Sequence, residues 1–471
     1  GMLRLAQAAL AAGKPIVLTK VGRTGSGARA AASHTGALAG EDAVFDGVAR
    51  QFGLIRARNE EQMLDLVEVL ARCALPEGKG IGIVTQSGGA GVLMADRAEE
   101  LGLAVPDLSA ATQDRLRPVV PGFGALGNPV DVTAQFIADP SILRESVIAV
   151  LEDPNIHVAI VWLQLMDAYV DVLVGIFEEI RSRVSKPMLV CWVAAPDTAL
   201  IALRERGFAV LRGAEPAVDA VSGLVRYAET RRNWLAERKP ESTQVEQAIE
   251  LPAPSGVVSS VEAARLLSQT GVSLAPHAFA ASAGEAVVAA GRIGYPVVLK
   301  IESPDILHKT EAQGVRLGLA DAAAVRAAYA SVVANARAYR PDARIDGVIL
   351  QTMAAGDVEF VIGLKRDPVF GMVVMAGLGG VLIEVLKDGA FRKAPVTEDE
   401  AGRMLDELAG KAILTGIRGR PPIDRGKLVA LISAVSRFGF AAGGRVAELD
   451  LNPVLLTRDD AVAVDWLMVL D

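Results

Sequence analysis

The chain predicts two architectures in succession, an α/β doubly wound parallel sheet and then an α+β region, and three features of the sequence predict them. Between Gly80 and about Arg232, apolar runs ("IGIVTQ", "HVAIVWLQ", "KPMLVCWV") alternate with amphipathic stretches ("GVLMADRAEELGL", "VDVLVGIFEEIRSRV", "DTALIALRERGF"). Strands that are apolar on both faces and joined through helices make a parallel sheet that helices cover on either side. Next, "AERKPESTQVEQAIELPAPSG" (Ala236 to Gly256) is charged, then proline-rich, and has no apolar period, which is the texture of a linker. Beyond it the segments are β-rich with tight turns, an α+β rather than an α/β pattern. The alternating region has the element order of a flavodoxin-like domain.

In chain order, residues 1–76 form a first block. It opens with a short helix, continues through a strand in "PIVLTKVG" (Pro15 to Gly22) and reaches a stretch of small residues from Arg23 to Gly40. "EEQMLDLVEVLARC" follows as a helix whose apolar face is Met63, Leu66, Val67 and Leu70. "PEGKG" (Pro76 to Gly80) is a turn and a domain boundary. Residues 77–235 are the flavodoxin-like domain, closing on the helix "AVDAVSGLVRYAE"; residues 236–256 are the linker, and residues 257–471 the second half. There, "SSVEAARLLSQTGV" is a helix with Ser259 or Ser260 as N-cap ahead of Glu262. "YPVVLKI", "GVILQTMA" and "DVEFVIGLKRDPVFGMVVMAGLGG" supply strands, and "VAELDLNPVLLTRDDAVAVDW" supplies two more around an Arg-Asp-Asp turn.

Composition excludes several classes of protein. With 471 residues the chain can bury two to four cores, and 51% hydrophobic with 22% charged residues is a globular balance. No apolar run approaches the roughly 18 residues of a membrane span. A net charge of -8 without a basic stripe argues against nucleic acid. Cys73 and Cys191 lie far apart and form neither a disulfide framework nor a zinc set, as expected of a cytoplasmic protein. "GMLRLAQAALAAGKP" does not make a signal peptide, and Gly1 ahead of Met2 reads as a cloning scar.

Few residues carry obvious chemistry. His34, one of four histidines, sits in "AAASHTGALAG" among side chains too small to pack against it, an arrangement suited to access and movement. Lys300 ends an apolar strand, where its ammonium would emerge beside a nucleotide phosphate. Asn452 and Asp465 lie on consecutive strands, and two oxygen donors facing one cleft suit Mg²⁺ held together with phosphates. "GLGG" (Gly377 to Gly380) offers backbone amides to an anion.

Together and in this order, these segments resemble a known family. "SSVEAARLLSQTGVSLAPHAFAASAGEAVVAAGRIGYPVVLKIESPDILHKTEAQGV" followed by "ELDLNPVLL" resembles the ATP-grasp portion of NDP-forming acyl-CoA synthetases, relatives of succinyl-CoA synthetase. "SHTGALAGED" is similar to the family's phosphohistidine loop, and "GIGIVTQSGGAGVLMAD" with "GNPVDVT" to its CoA-ligase domain. The resemblance implies that His34 carries the phosphoryl group and that His308 relays it towards the nucleotide. A neutral imidazole is nucleophilic near neutral pH, and small neighbours let its loop move. The phosphoryl group would meet Ser87, Gly88 and Gly89, where free amides and the positive end of a helix dipole make an anion site. Lys300 would contact ATP phosphates; Gln351, Thr352 and Met353 fall where a hinge passes the adenine, Glu359 lines the nucleotide cleft, and Asn452 and Asp465 match Mg²⁺ ligands. The resemblance to the fused, ADP-forming members implies ATP/ADP with Mg²⁺ rather than GTP/GDP as the nucleotide here. His157 and His277 match nothing and are expected to be structural.

Two departures stand out. Gln313 occupies a position where the family has glycine, which implies a stiffer loop. The family's Rossmann-like CoA-binding domain, and a glutamate that braces the carrier histidine, would lie upstream of "LRLAQAALAAGKPIVLTKVG". A separate CoA-binding subunit, a truncation or a loss of the full reaction would account for this, and an oligomer is expected. A nucleotide-sensing module of the same fold and an ATP-grasp carboxylate–amine ligase are the alternatives to the synthetase.

Overall fold

Runs of β-branched and aliphatic residues in the first part of the chain become the strands of two parallel sheets. A computed structural model describes residues 1–27, 29, 41–237, 248–252, 255–354, 356, 358–380, 388–416 and 421–471. They divide into two units, one of residues 1–27 and 52–237, the other of residues 41–51 and 248–471.

In the first unit, α1 (Met2–Ala12) ends at Gly13, whose φ of 67° gives the left-handed C-cap that glycine adopts without strain. β1 (Ile16–Thr19) pairs in parallel with β2 (Leu54–Ala57), Ile16 opposite Leu54. Between them the chain makes α2 (Asp42–Gln51), which packs in the second unit. α3 (Glu60–Arg72) is capped by Asn59, which accepts from the Gln62 amide. It buries Leu66, Val69 and Leu70, while Val67, expected on that face, is 47% exposed. The apolar stripe thus runs i, i+3, i+4 from Leu66 and leaves Val67 about 100° off it.

The five-stranded parallel sheet comprises β3 (Ile81–Thr85), β4 (Val130–Asp131), β5 (Val158–Gln164), β6 (Met188–Val193) and β7 (Ala209–Leu211), in the order β4-β3-β5-β6-β7. Counted from its first strand this is 2-1-3-4-5, the flavodoxin-like order. Its helices are α4 (Gly88–Glu100), α5 (Ala110–Leu116), α6 (Ser141–Glu152), α7 (Val170–Arg183), α8 (Asp197–Glu205) and α9 (Ala214–Glu237). Period-2 alternation sends Val84, Val161 and Val190 to one face with Phe177 and Trp192. It sends Ile83, Ile160 and Leu189 to the other with Leu66, Val221 and Tyr227, so α3 of the first block shares a core with this sheet.

The second unit has two antiparallel sheets. β9 (His277–Ala280), β10 (Val297–Glu302), β11 (Val315–Leu319) and β12 (Gly347–Thr352) make one, in the order β11-β10-β12-β9, packed with α11 (Ala283–Ile293) and α12 (Ala322–Tyr339). The preceding helix α10 (Ser260–Ser268) takes Ser259 as N-cap, accepting from the Glu262 amide. β8 (Gly256–Val257), β13 (Val358–Asp367), β14 (Gly371–Leu378), β15 (Gly389–Lys393), β16 (Val446–Leu456), β17 (Ala461–Ala463) and β18 (Trp466–Leu470) make the other. Its order is β15-β14-β13-β16-β18-β8, with β17 on β16. α13 (Glu398–Glu407) and α14 (Arg425–Ala441) cover one face over Phe360, Ile362, Leu364, Leu449 and Leu451. The opposite face carries Lys365, Glu448, Asp450 and Asn452 on alternate positions.

The C-terminal stretch differs from its two-strand expectation. β16 turns through Arg458–Asp460, closed by the Thr457 amide on the Asp460 carbonyl at 2.9 Å, and a third strand, β18, follows. The expected linker lies largely outside the described residues, and its last residue, Gly256, opens strand β8 of the larger sheet.

Candidate nucleotide site and anion site

Lys300 lies inside β10 rather than at its end, and only 9% of it is exposed. Its Nζ donates to the Val464 carbonyl at 2.6 Å and stands 3.4 Å from Asp465 Oδ1. One lysine therefore closes the smaller sheet onto the larger. Burial holds its pKa below the ordinary lysine value, Asp465 opposes that shift, and Lys309 reinforces it. Lys309, from the loop between β10 and β11, reaches the same Asp465 oxygen at 3.5 Å.

Asp465 sits at the joint between β17 and β18 rather than on a strand, and its carbonyl accepts from the Asn452 amide at 3.2 Å. That bond brings Asn452 and Asp465 side by side, as sequence reasoning expects. Asp450, two residues before Asn452 on the same face, belongs with them. Burial, then Glu448 and Asp465, push its carboxyl up to about 6, against a hydrogen bond from Asn452. Period 2 along "ELDLNP" is the signal that finds Asp450, and Lys309 was to be found beside His308 in "LHKT".

An amide oxygen and a carboxylate, with a second carboxyl beside them, are hard oxygen donors of the kind Mg²⁺ takes. Two protein donors leave most of an octahedron to phosphate oxygens and water. Among the described residues no group of three or more His, Cys, Asp or Glu side chains converges as a self-sufficient metal cage. The residues present fit a metal that arrives with a nucleotide.

His308 is exposed on the β10–β11 loop, one residue from Lys309. Gln313, on the same loop, has φ 48°, the left-handed conformation that glycine adopts freely. Its carbonyl accepts from Arg316 and Asn335, each at 3.2 Å, which secures the turn despite the side chain. Gln351 is buried at the end of β12 opposite Val298, Thr352 is opposite Val297, and Met353 is 44% exposed as the chain leaves the smaller sheet. Glu359 is exposed near the start of β13, and its carbonyl accepts from the Gly379 amide at 2.8 Å. That amide of the Gly377–Gly380 stretch is thus already committed.

The residues expected to form an anion site are in the first unit. Ser87 caps α4 by position, yet its hydroxyl makes no capping bond; its amide donates to Thr85 Oγ1 at 2.9 Å. Next to this helix start, outside the carboxyl ends of β3 and β5, an open hollow is lined by Gln86, Ser87 and Gln164–Tyr169. This is the switch point of the sheet, where doubly wound folds bind ligands. Nothing lies within 4 Å of a side chain added at Gly89, whereas one at Gly88 would stand 3.2 Å from Asp131 Oδ2. His34 lies outside the described residues.

His157 and His277 have structural partners. His157 Nδ1 accepts from the Gly80 amide at 3.2 Å, and a side chain at Gly78 would fall 2.6 Å from its ring. His277 meets Trp466 edge-on at 5.0 Å.

Two antiparallel sheets joined at Lys300, Val464 and Asp465, following a flavodoxin-like domain, define a class: ATP-grasp proteins coupled to CoA-ligase domains. Comparison with known proteins gives the family. Models described as succinyl-CoA ligase like flavodoxin domain, Ligase-CoA domain and ATP-grasp domain match residues 1–70, 81–202 and 251–470. The "Acetate--CoA ligase [ADP-forming] I" of Archaeoglobus fulgidus is 34% identical over 464 residues, which is 97% of this chain and 66% of that protein. The "Acetate--CoA ligase [ADP-forming] I subunit beta" of Pyrococcus furiosus is 40% identical over 209 residues, 44% of this chain and 90% of that subunit. A solved structure, an acetyl-coenzyme A synthetase of Ca. Korarchaeum cryptofilum with coenzyme A and Ca-AMPCP, is 39% identical with a TM-score of 0.44, over 46% of this chain and 94% of that one. The chain belongs to the NDP-forming acyl-CoA synthetase family, and it spans 66% of the length of its Archaeoglobus relative.

Proposed function

We propose that this chain performs the nucleotide and phosphohistidine half of an ADP-forming acyl-CoA synthetase, in company with a CoA-binding partner. Acyl-CoA and phosphate would give acyl phosphate and free CoA. The acyl phosphate P–O bond then breaks as a P–N bond forms on His34, releasing the carboxylate. His34, by way of His308, finally passes the phosphoryl group to ADP, and the ring nitrogen regains a proton.

What carries this reading is the cluster in which Lys300 crosses from one sheet to Val464 and Asp465 on the other. A buried ammonium with a single hydrogen bond has donors to spare for phosphate oxygens. Phosphoryl transfer asks mainly for positioning and charge neutralisation, which two lysines and two oxygen donors at one place supply. Mg²⁺ on Asn452 and Asp465 would add neutralisation of the phosphate charge. Gln351 to Met353 would border the adenine, and Glu359 would line the nucleotide cleft. On the other unit, Ser87, Gly88 and Gly89 would receive the phosphoryl group through unbonded amides.

The Pyrococcus relative is one subunit of its enzyme, whereas the Archaeoglobus relative is a single longer chain. No described helix is long and apolar enough to cross a membrane. The cytoplasm, where thiols stay reduced, is the compartment that fits two free cysteines.

The test is phosphate incorporation into the intact protein from γ-labelled ATP with Mg²⁺. Acid-labile, base-stable label that His34→Ala abolishes supports the reading. Nucleotide binding without label in the wild type would refute it in favour of a sensor. Label that persists in His34→Ala would remove His34 from the route.

A further inference from the structure

Two parallel neighbouring strands are joined by a crossover whose helix normally packs back on their own sheet. β1 and β2 break that rule. Their crossover helix, α2, lies on β15, the edge strand of the larger antiparallel sheet in the second unit.

The fit of α2 on β15 is close and specific. Gly47 lies directly on Phe391, where an added Cβ would stand 2.1 Å from the Phe391 carbonyl oxygen. An edge strand presents unpaired amides and carbonyls, and at Lys393 a side chain takes both. The Lys393 amide donates to Gln51 Oε1 at 2.8 Å, and Gln51 Nε2 donates to the Lys393 carbonyl at 3.0 Å. The Gln51 amide thus pairs as one residue of an added strand would. Phe45 meets Phe370 at 6.1 Å, and Val44, Val48 and Ala49 are buried. Glu41 and Arg50 add exposed ion pairs to Lys365 and Glu407 at 3.3 Å each, which contribute little.

His34 lies seven positions before Glu41. Seven residues reach at most about 25 Å even when fully extended. Whatever holds α2 therefore sets how far His34 can stray from the unit that contains Lys300 and Asp465. Glycine at position 47 lets helix and strand backbones touch, and the Gln51 amide fixes the register.

We propose that Gly47 and Gln51 are positioning residues for phosphoryl transfer, docking α2 on β15 so that the downstream root of the His34 loop is tethered to the nucleotide-binding unit. This rests on the functional reading above. Tethering raises the effective concentration of the imidazole at the nucleotide, and releasing it lowers the transfer rate without altering nucleotide affinity.

The experiment uses the full chain and the variants Gly47→Val and Gln51→Ala, with two readouts. The first is the single-turnover rate of acid-labile label formation from γ-labelled ATP, together with ATP affinity by calorimetry. A fall of tenfold or more in Gly47→Val and several-fold in Gln51→Ala, with affinity within twofold of wild type, is expected. The second is hydrogen exchange in the peptide containing residues 389–393, which should accelerate in both variants while exchange in β10 and β13 stays unchanged. Wild-type labelling rates in both variants would overturn the positioning role even if exchange accelerates. Equal exchange of that peptide in wild type and Gln51→Ala would overturn the docking itself. A wild type that takes no label defeats the functional reading and the transfer role together, and the exchange result still decides whether α2 docks.

Discussion

Replacing Lys300 with methionine separates stability from function. The ammonium is buried, with one hydrogen bond to Val464 and one carboxylate at 3.4 Å. At an effective dielectric near 20 that ion pair represents a gross attraction of about 5 kcal/mol. Taking the ammonium out of water costs several kcal/mol, and the carboxylate is 36% exposed, so screening trims the gain further. Methionine fills nearly the same volume without the desolvation penalty, and Asp465 keeps Lys309 as a partner at 3.5 Å. The lost charged hydrogen bond to Val464 is worth about 1.5–3 kcal/mol and the relieved desolvation about as much, so Lys300→Met should shift folding stability by less than about 1.5 kcal/mol. Asp465→Ala should behave oppositely, because it leaves Lys300 and Lys309 facing each other without their carboxylate, at a cost of about 2–4 kcal/mol. Urea unfolding measures the first quantity and calorimetric titration with Mg²⁺-ATP the second. Lys300→Met should unfold like wild type and bind ATP at least tenfold more weakly. A loss above about 3 kcal/mol would show that the lysine is mainly a structural clamp between the sheets. Unchanged ATP affinity would remove it from the phosphate site.

Three further outcomes are expected. Gln313→Gly should raise stability by about 0.5–1 kcal/mol in urea, since an αL side chain costs about 1–2 kcal/mol and glycine's extra unfolded-state entropy returns part of that; no change or a loss would mean that the Gln313 side chain holds the turn. Gly89→Ala should leave the thermal midpoint unchanged or slightly higher, because open space surrounds that position, whereas Gly91→Ala should lower it by several degrees, its Cβ falling 2.9 Å from the Pro129 side chain. The thiols of Cys73 and Cys191 are both pushed up to about 12 by burial, so neither should react appreciably with a disulfide reagent at pH 8 until the protein is unfolded, when both should; rapid native reaction would show that the strands around β6 open readily.

Much of the fold is legible because it rests on local periodicity. The strands β3, β5 and β6 are short apolar runs, and the helices between them carry 3.6-residue stripes, so pattern alone places them. Asn452 and Asp465 are likewise legible as a pair, and the Asn452 amide does bond to the Asp465 carbonyl. What pattern misses is what depends on partners distant in sequence. Lys300 looks like a solvated strand end because the preceding residues are apolar; its burial comes from Val464, 164 positions away. Val67 and Val69 are chemically equal, and only the helix phase against α9 and the sheet decides that Val69 is buried. The stretch from Asp42 to Gln51 reads as part of the first block because its neighbours in sequence belong there, yet its hydrogen-bonding partner is 342 positions away at Lys393.

That last displacement bears directly on the carrier chemistry proposed above. A phosphohistidine that serves two reaction centres needs a segment with one root at each. The strand β1 roots the upstream side in the unit whose α4 N-terminus offers bare amides, and α2 roots the downstream side in the unit of Lys300 and Asp465. Were α2 packed on its own sheet in the usual way, both roots would belong to one unit, and only chain length would bring His34 to the unit of Lys300 and Asp465. Closing a loop of n residues costs an entropy that grows as about (3/2)RT ln n, so shortening the free stretch gains less than fixing its endpoint does. The gain comes from α2's landing point. An edge strand with an unpaired amide and carbonyl is a liability that invites another chain, and Gln51 covers it with one side chain while anchoring the loop. Gly47 then has a reason that neither helix propensity nor turn chemistry supplies: glycine inside an exposed helix costs about 1 kcal/mol relative to alanine, and here it is what allows the helix to reach the strand.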